Sequence, residues 1–294
     1  MEERKMQINW YPGHMAKAKR MLEDNLKLID VVCELVDARA PKATANPDFD
    51  ALFRRKARVL LLNKSDLADP ATNKRWIRYY QQRGIEAAEI VSTGGNARQQ
   101  VVKLIERATQ ARVEKLKEKG VQKTVRVLIA GIPNVGKSTL INRIAGEKRA
   151  QTGDKPGVTK GKQWVRVTPY LELLDSPGLL WPKLGDDTPA QHLAFIGSIN
   201  DEILNIEELA NALLRELRLL APAALCERYK KITADTPDEA LLETVAQSRG
   251  FILKGGVYDT ERAARIVLDE FRAGKIARIS IEQPPKEEHD GEAE

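Results

Sequence analysis

The 294-residue chain reads as an α/β fold: a doubly wound parallel sheet followed by a smaller all-helical domain. Three observations predict it. Apolar β-branched runs at 31–36 and 59–62 alternate with stretches of helical periodicity, which implies a parallel sheet covered on both faces. A Gly-rich turn at 131–136 joins a further run, 125–130, to a helix. Beyond Pro182 no β-branched run appears until Ile279, and helical patterns take over. The expected division is 1–182 for the sheet domain with its N-terminal helix, 183–283 for the helical domain, and 284–294 for a disordered acidic tail.

Each element has its own signal. Met15, Ala18, Leu22, Leu26 and Ile29 recur at three and four, the spacing of one helix face over 13–29. The runs 31–36 and 59–62 end at Asp37 and Asn63, with helices predicted over 48–55 and 71–82. A short strand is predicted at 88–91, then a helix over 97–119 whose alternating Lys and Glu mark a solvated face. After the strand at 125–130 and a helix over 138–145, the segments 163–167 and 171–174 flank Pro169-Tyr170 as a hairpin, giving about six strands. Asn205 opens an apolar-periodic helix carrying Leu209, Leu213, Leu214 and Leu217. Thr236-Pro237 opens another that Gly250 ends, and the last helix spans 260–272.

Composition narrows the function classes. Lys and Arg number 48 against 42 acids, a net charge of +6. The tail from residue 284 holds one lysine against five acids, leaving about +10 on the rest. That surplus suits a polyanionic partner, although many basic soluble proteins bind none. Two cysteines, Cys33 and Cys226, exclude a disulfide framework and a cysteine metal site. No run approaches the roughly 18 apolar residues of a membrane span. The charged start Met-Glu-Glu-Arg-Lys lacks the apolar core of a secretory signal, so a cytoplasmic protein without membrane contact is expected.

Five motifs carry chemistry. Gly131-Ile132-Pro133-Asn134-Val135-Gly136-Lys137-Ser138 fits the phosphate-binding pattern G-x-x-x-x-G-K-[ST] between a strand and a helix. Its backbone N–H groups, with Val135, Gly136 and Thr139 among the expected contacts, would cradle a β-phosphate at a helix N-terminus. Lys137 would bridge the β- and γ-phosphates, and the Ser138 hydroxyl would bind Mg²⁺. Asp175-Ser176-Pro177-Gly178 follows a strand: Asp175 would hold Mg²⁺ through water, and the Gly178 N–H would reach the γ-phosphate. Thr159, in the Gly- and Lys-rich loop 153–161, is the natural second hydroxyl for Mg²⁺ and would make that loop an order–disorder switch.

Asn63-Lys64-Ser65-Asp66 also follows a strand. The Asp66 carboxylate can accept two hydrogen bonds from guanine N1–H and N2–H₂, a pattern adenine lacks, while Asn63 would read the other edge and the Lys64 stem cover the ring. Ser92-Thr93-Gly94-Gly95 would press backbone N–H groups against guanine O6.

These motifs are those of TRAFAC-type GTPases in a changed order: base reader at 63, companion at 92, phosphate loop at 131, switch threonine at 159, D-x-P-G at 175. The chain therefore looks like a circularly permuted GTPase. Trp10-Tyr11-Pro12-Gly13-His14-Met15, Asp37-Ala38-Arg39 and Asn63-Lys64-Ser65-Asp66 closely resemble the YlqF/RbgA family of ribosome-assembly GTPases over nearly the whole chain. Permutation is physically tolerable, because both motif sets lie at C-terminal ends of parallel strands where such sheets bind ligands.

The resemblance implies further roles. Leu179 and Leu180 stand where many GTPases place a water-orienting glutamine. The family histidine, His14 here, would take that role, unless it caps or packs the first helix; His192 is a weaker alternative. Asn134 resembles the asparagine that holds K⁺ beside the phosphates in potassium-activated GTPases, or else shapes the loop. The role of Arg39 stays open between the site and a neighbouring acid. Residues 143–166 carry seven Lys/Arg against two acids, and 215–231 five against two, surfaces suited to RNA phosphates. The implied partner is the precursor large (50S) ribosomal subunit with its rRNA, bound by a protein that is a monomer off the ribosome. The expected activity is Mg²⁺-dependent GTP hydrolysis timing late assembly; the alternative is a GTP-sensing RNA chaperone whose hydrolysis is incidental.

Overall fold

The computed structural model describes residues 12–146, 163–176, 187–199 and 205–285, without the side chains of residues 12–18, 163 and 187. Its strands are β1 (Val31–Asp37), β2 (Ala57–Asn63), β3 (Glu86–Glu89), β4 (Val125–Ala130), β5 (Gln163–Thr168) and β6 (Leu171–Asp175). They form one sheet in the order β3-β2-β1-β4-β6-β5. Every pairing is parallel except the β5–β6 hairpin. Chain order reverses direction between β1, which leads outward to β2, and β4, which leads to the other edge. A doubly wound sheet opens its ligand crevice at such a switch point, outside the strands' C-terminal ends.

The helices are α1 (Pro12–Leu26), α2 (Pro41–Thr44), α3 (Asp48–Phe53), α4 (Pro70–Gln82), α5 (Ala97–Glu118) and α6 (Lys137–Ala145) around the sheet. They are followed by α7 (Asp187–Phe195), α8 (Ile206–Leu220), α9 (Pro222–Arg228), α10 (Leu241–Arg249) and α11 (Thr260–Arg272). Alternation along the strands explains the layers. Val32 and Leu128 turn one way, against Leu22, Leu26, Phe49 and Phe53 of α1 and α3. Leu60 and Leu62 pack on Trp76 and Tyr80 of α4. Cys33, Leu35, Val59 and Ile129 turn the other way, into a core shared with α5, α6 and the leucine face of α8. Sheet and helical units thus share one continuous apolar core.

Caps fall where side-chain chemistry puts them. Asn205 Oδ1 accepts from the Glu207 and Glu208 N–H groups at the start of α8, and Gly250 closes α10 in the left-handed region at φ 69°. Of the boundaries that differ from the sequence reading, three have a clear physical reason. The first helix stops at Leu26, and Ile29 is buried by a turn in which Leu28 N–H and Ile29 N–H donate to Asn25 O and Leu26 O. β3 begins at Glu86, two residues before the apolar run, because it is an edge strand whose glutamates tolerate solvent. The Thr236 hydroxyl accepts from Thr233 N–H instead of capping a helix, and a single 3₁₀ turn precedes α10.

After α11 the chain returns to the sheet domain. Ile279 N–H donates to Leu67 O and Ile281 N–H to Arg39 O. Trp76 Nε1 donates to Glu282 O, and Asp69 N–H to Ser280 Oγ. Composition placed 276–283 with the helical domain, yet its hydrogen bonds brace the sheet domain. Among the described residues no helix is long and apolar enough to cross a membrane.

Candidate functional site

β1, β2 and β6 each end at the switch-point crevice in a polar residue, while β4 leads into the Gly-rich loop. Asp37 of β1 lies in register with Asn63 of β2, and Ile129 of β4 with Asp175 of β6. The loop after β4 starts with Gly131 at φ 149°, where a Cβ would come within 2.6 Å of Leu35 O, so only glycine lets the loop lie against β1. It ends with Gly136 at φ 99°, the N-cap of α6, where a Cβ would collide with Asn63 Nδ2. Between them Asn134 takes a left-handed φ of 62°.

Lys137 opens α6 and is buried, its Nζ donating to Ile132 O at 2.7 Å. Burial lowers its pKa to about 8, against the pull of the Asp175 carboxylate in the other direction. Asp175 is itself buried, and Ser176 Oγ donates to Ile129 O at 2.6 Å. Ser138 and Thr139 are half-buried on the first turn of α6.

The turn at 63–66 is welded to this loop. Asn63 Nδ2 donates to Val135 O at 2.7 Å, while its Oδ1 accepts from Ser92 N–H at 3.0 Å and Ser92 Oγ at 2.8 Å. Both lone pairs of Oδ1 are thereby used, so Asn63 braces three loops and has only its second Nδ2 hydrogen to offer a base. Lys64, at φ 57°, reaches back with Nζ to Asn134 O at 3.0 Å and to Asp37 Oδ2 at 3.1 Å. Ser65 Oγ donates to Ile90 O, and Arg278 Nη2 of the returning segment to Ser65 O. Asp66 and Thr93 are exposed at the rim. The Gly94 N–H is spent on Val91 O at 2.7 Å, so that amide is not the O6 donor the sequence suggested. Arg143 Nε of α6 braces this loop by donating to Gly94 O.

Other expectations resolve unevenly. Arg39 pairs with Asp37 inside the fold. His192 cannot orient water: Nδ1 lies 2.9 Å from Glu282 Oε1 and Nε2 3.1 Å from Glu216 Oε1. Burial alone would lower its pKa, but the two glutamates outweigh that and raise it to about 9. Of the cations in 215–231, Arg218 is tied to Asp238 and Arg228 to Glu270, leaving Arg215, Lys230 and Lys231 on the exposed surface. Thr159, Gly178, most of the basic segment 143–166 and the side chain of His14 lie outside the described residues.

The residues suit the ligands the motifs imply. A loop that only glycine can form beside a buried lysine fits a polyphosphate, and the oxygen donors Ser138 and Asp175 fit Mg²⁺. Among the described residues no group of three or more His, Cys, Asp or Glu side chains is arranged to hold a metal ion.

Comparison with known proteins agrees with this geometry. A family described as 50S ribosome-binding GTPase matches residues 126–243, which begin on β4 and exclude the turn at 63–66 that permutation moved ahead of it. The chain is 44% identical over 285 residues to ribosome biogenesis GTPase A of Priestia megaterium, spanning 96% of this chain and 99% of that protein. It is 34% identical over 277 residues to ribosome biogenesis GTPase A of Thermotoga maritima, spanning 94% and 95%. The crystal structure of GNP-bound YlqF from T. maritima superposes with a TM-score of 0.66 at 31% identity, over 92% of this chain and 99% of that one. With the phosphate loop and a guanine-type turn locked together by Asn63, and with relatives matched from end to end, the chain belongs to the ribosome biogenesis GTPase A (YlqF/RbgA) family of circularly permuted GTPases.

Proposed function

We propose that this GTPase is Mg²⁺-dependent, binds the precursor of the large ribosomal subunit through rRNA, and times a late assembly step in the cytoplasm. The observation that carries the reading is the Asn63 brace, which joins a base-reading turn from the first third of the chain to a phosphate loop some 70 residues later. The names of the relatives and the 50S-binding description of the matched family supply the ribosomal part.

In this reading Asp66 accepts from guanine N1–H and N2–H₂, the Lys64 stem covers the ring, and Ser92 and Thr93 close the pocket. The N–H groups of 134–139 surround the β-phosphate, and Lys137 leaves Ile132 O for the β- and γ-phosphates. Ser138, Thr159 and Asp175 would hold Mg²⁺, which neutralises charge on the phosphate oxygens when bound. The Gly178 N–H would reach the γ-phosphate, Asn134 would hold K⁺, and His14 would orient water. Exposed Arg215, Lys230 and Lys231 of the helical unit meet RNA phosphates, and the protein is a monomer off the ribosome.

Asp66 offers the direct test, because it is exposed and its replacement leaves the fold alone. Asp66→Asn is expected to lower GTP affinity at least about tenfold and to gain affinity for xanthosine triphosphate, whose C2 oxygen can accept from the amide. Unchanged preference would remove the guanine assignment. Co-sedimentation with large subunits across a salt series, in GTP-analogue and GDP states, tests the ribosomal half; equal binding in both states would remove the timer.

A further inference from the structure

The end of β1 carries a buried ion pair to which the nucleotide chemistry above gives no role. Arg39 Nε and Nη2 donate to Asp37 Oδ1 and Oδ2 at 2.9 and 2.8 Å, and the Arg39 N–H adds a bond to Oδ1 at 3.1 Å. With Lys64 Nζ on Oδ2, the carboxylate has all four acceptor sites filled. Both side chains are essentially inaccessible, 0% for Asp37 and 2% for Arg39. Stability does not explain such a pair, since well-packed apolar side chains of similar volume are commonly as stable or more so. What the pair supplies is position.

Both ends of the pair lead elsewhere. Lys64 Nζ also holds Asn134 O of the phosphate loop. Arg39 Nη1 donates to Arg272 O at the end of α11, and its guanidinium lies 5.5 Å from the centre of the Phe271 ring. The Arg272 side chain then donates to Phe195 O and Ala194 O, shaping the turn after α7. In that turn Gly197 O accepts from Asn134 Nδ2 at 2.9 Å. The links close a ring: Asp37, Arg39, Arg272, Gly197, Asn134, Lys64. Shifting the helical unit breaks the ring at two places at once, Arg39 to Arg272 and Asn134 to Gly197.

We infer that Arg39 is a positioning residue of the GTP site: through Asp37 it fixes Lys64 across the phosphate loop, and it does so only while the end of α11 is docked on it. The inference rests on the reading that Lys64 belongs to the guanine pocket. Docking of the helical unit and nucleotide binding then strengthen each other by the same factor, as linkage requires. A partner that pulls the helical unit away loosens nucleotide without touching it.

The double variant Asp37→Asn/Arg39→Met removes both charges without stranding either in the interior. Its KM for GTP and its Kd for a fluorescent GDP analogue are expected to rise about tenfold, the loss falling on these constants far more than on kcat. Hydrogen exchange supplies a readout that a merely structural role would not move. In the native chain GDP should slow exchange over 271–283; in the double variant that protection should vanish. A folded double variant with native KM, or equal GDP protection in both chains, overturns the inference. A native chain that ignores GDP overturns the guanine-pocket reading as well, so the two failures are distinguishable. Should the double variant not fold, Gly197→Ala tests the ring from its half-buried side. Its φ of 76° and the Arg272 Nε that a Cβ would meet at 3.2 Å displace the carbonyl holding Asn134. A several-fold rise in KM is expected, and an unchanged KM overturns the inference.

Discussion

The phosphate loop and the turn at 63–66 differ in how much of their shape is set locally. The loop has local devices of its own, Lys137 leaning on a carbonyl five residues back and left-handed turns at Asn134 and Gly136, besides the bonds that Asn63 and Lys64 make to it. The turn at 63–66 takes its shape from distant partners, Ile90, Ser92, Val135 and Arg278 among them. A local device is indifferent to where the chain is cut. A tertiary one survives permutation because none of its partners was ever a covalent neighbour. The difference explains how one site can be assembled from halves in either order.

Substitutions on the two sides should separate accordingly. The largest expected effect is that of Lys137→Ala: GTP affinity, read by calorimetry, should fall about a hundredfold, the upper range for hydrogen bonds to a charged group, with thermal stability nearly unchanged. Asn63→Ala should instead lower stability by about 2 kcal/mol in a denaturant titration, because Val135 O and the Ser92 N–H lose a buried partner together. Native stability in that variant would break the contrast between the two regions.

The clasp at His192 extends the tertiary side of the comparison. Glu282, which Lys42 N–H and Ala43 N–H also contact, holds the imidazole against α8's Glu216. Its pKa is higher folded, about 9, than unfolded, so the stabilisation is complete below the ordinary histidine pKa of about 6.5 and fades as pH rises toward 9. Stability should drop by on the order of 1–2 kcal/mol between pH 6 and 8, and His192→Gln should flatten that slope. A slope identical in both chains would show that the clasp contributes nothing. The smallest effect belongs to the local side. With Lys137 near pKa 8 before ligand arrives, phosphate binding at pH 8 should take up a fraction of a proton, and almost none at pH 6.5. Calorimetry in buffers of different ionisation enthalpy measures that uptake.

What the sequence made legible follows the same line. The strands, the hairpin, the phosphate loop and the Asn205 cap are encoded within a few neighbouring residues, and periodicity or a short motif exposes them. The role of Asn63 was half legible: its type and place marked a base reader, but the partners that turn it into a brace lie 29 and 72 residues away. For Arg39 the neighbouring acid, Asp37, was within reach of the sequence reading, but its tie to Arg272 O, 233 residues distant, was not. The clasp at His192 and the return of 276–283 to the sheet domain left only faint traces. Ile279 and Ile281 alternate with Ser280 and Glu282 as an extended segment would, too briefly to be read as a strand.

The returning segment also sets a schedule. Ser65 precedes Arg278, which holds its carbonyl, by 213 residues. At ordinary translation rates of roughly 5–20 residues per second, the turn at 63–66 leaves the synthesising ribosome about 10–40 s before its last support does. Late in that interval the nascent chain has its phosphate loop and the Asn63 brace but not the Arg278 support, so the tightest ligand capture should be a property of the finished polypeptide rather than of the emerging one.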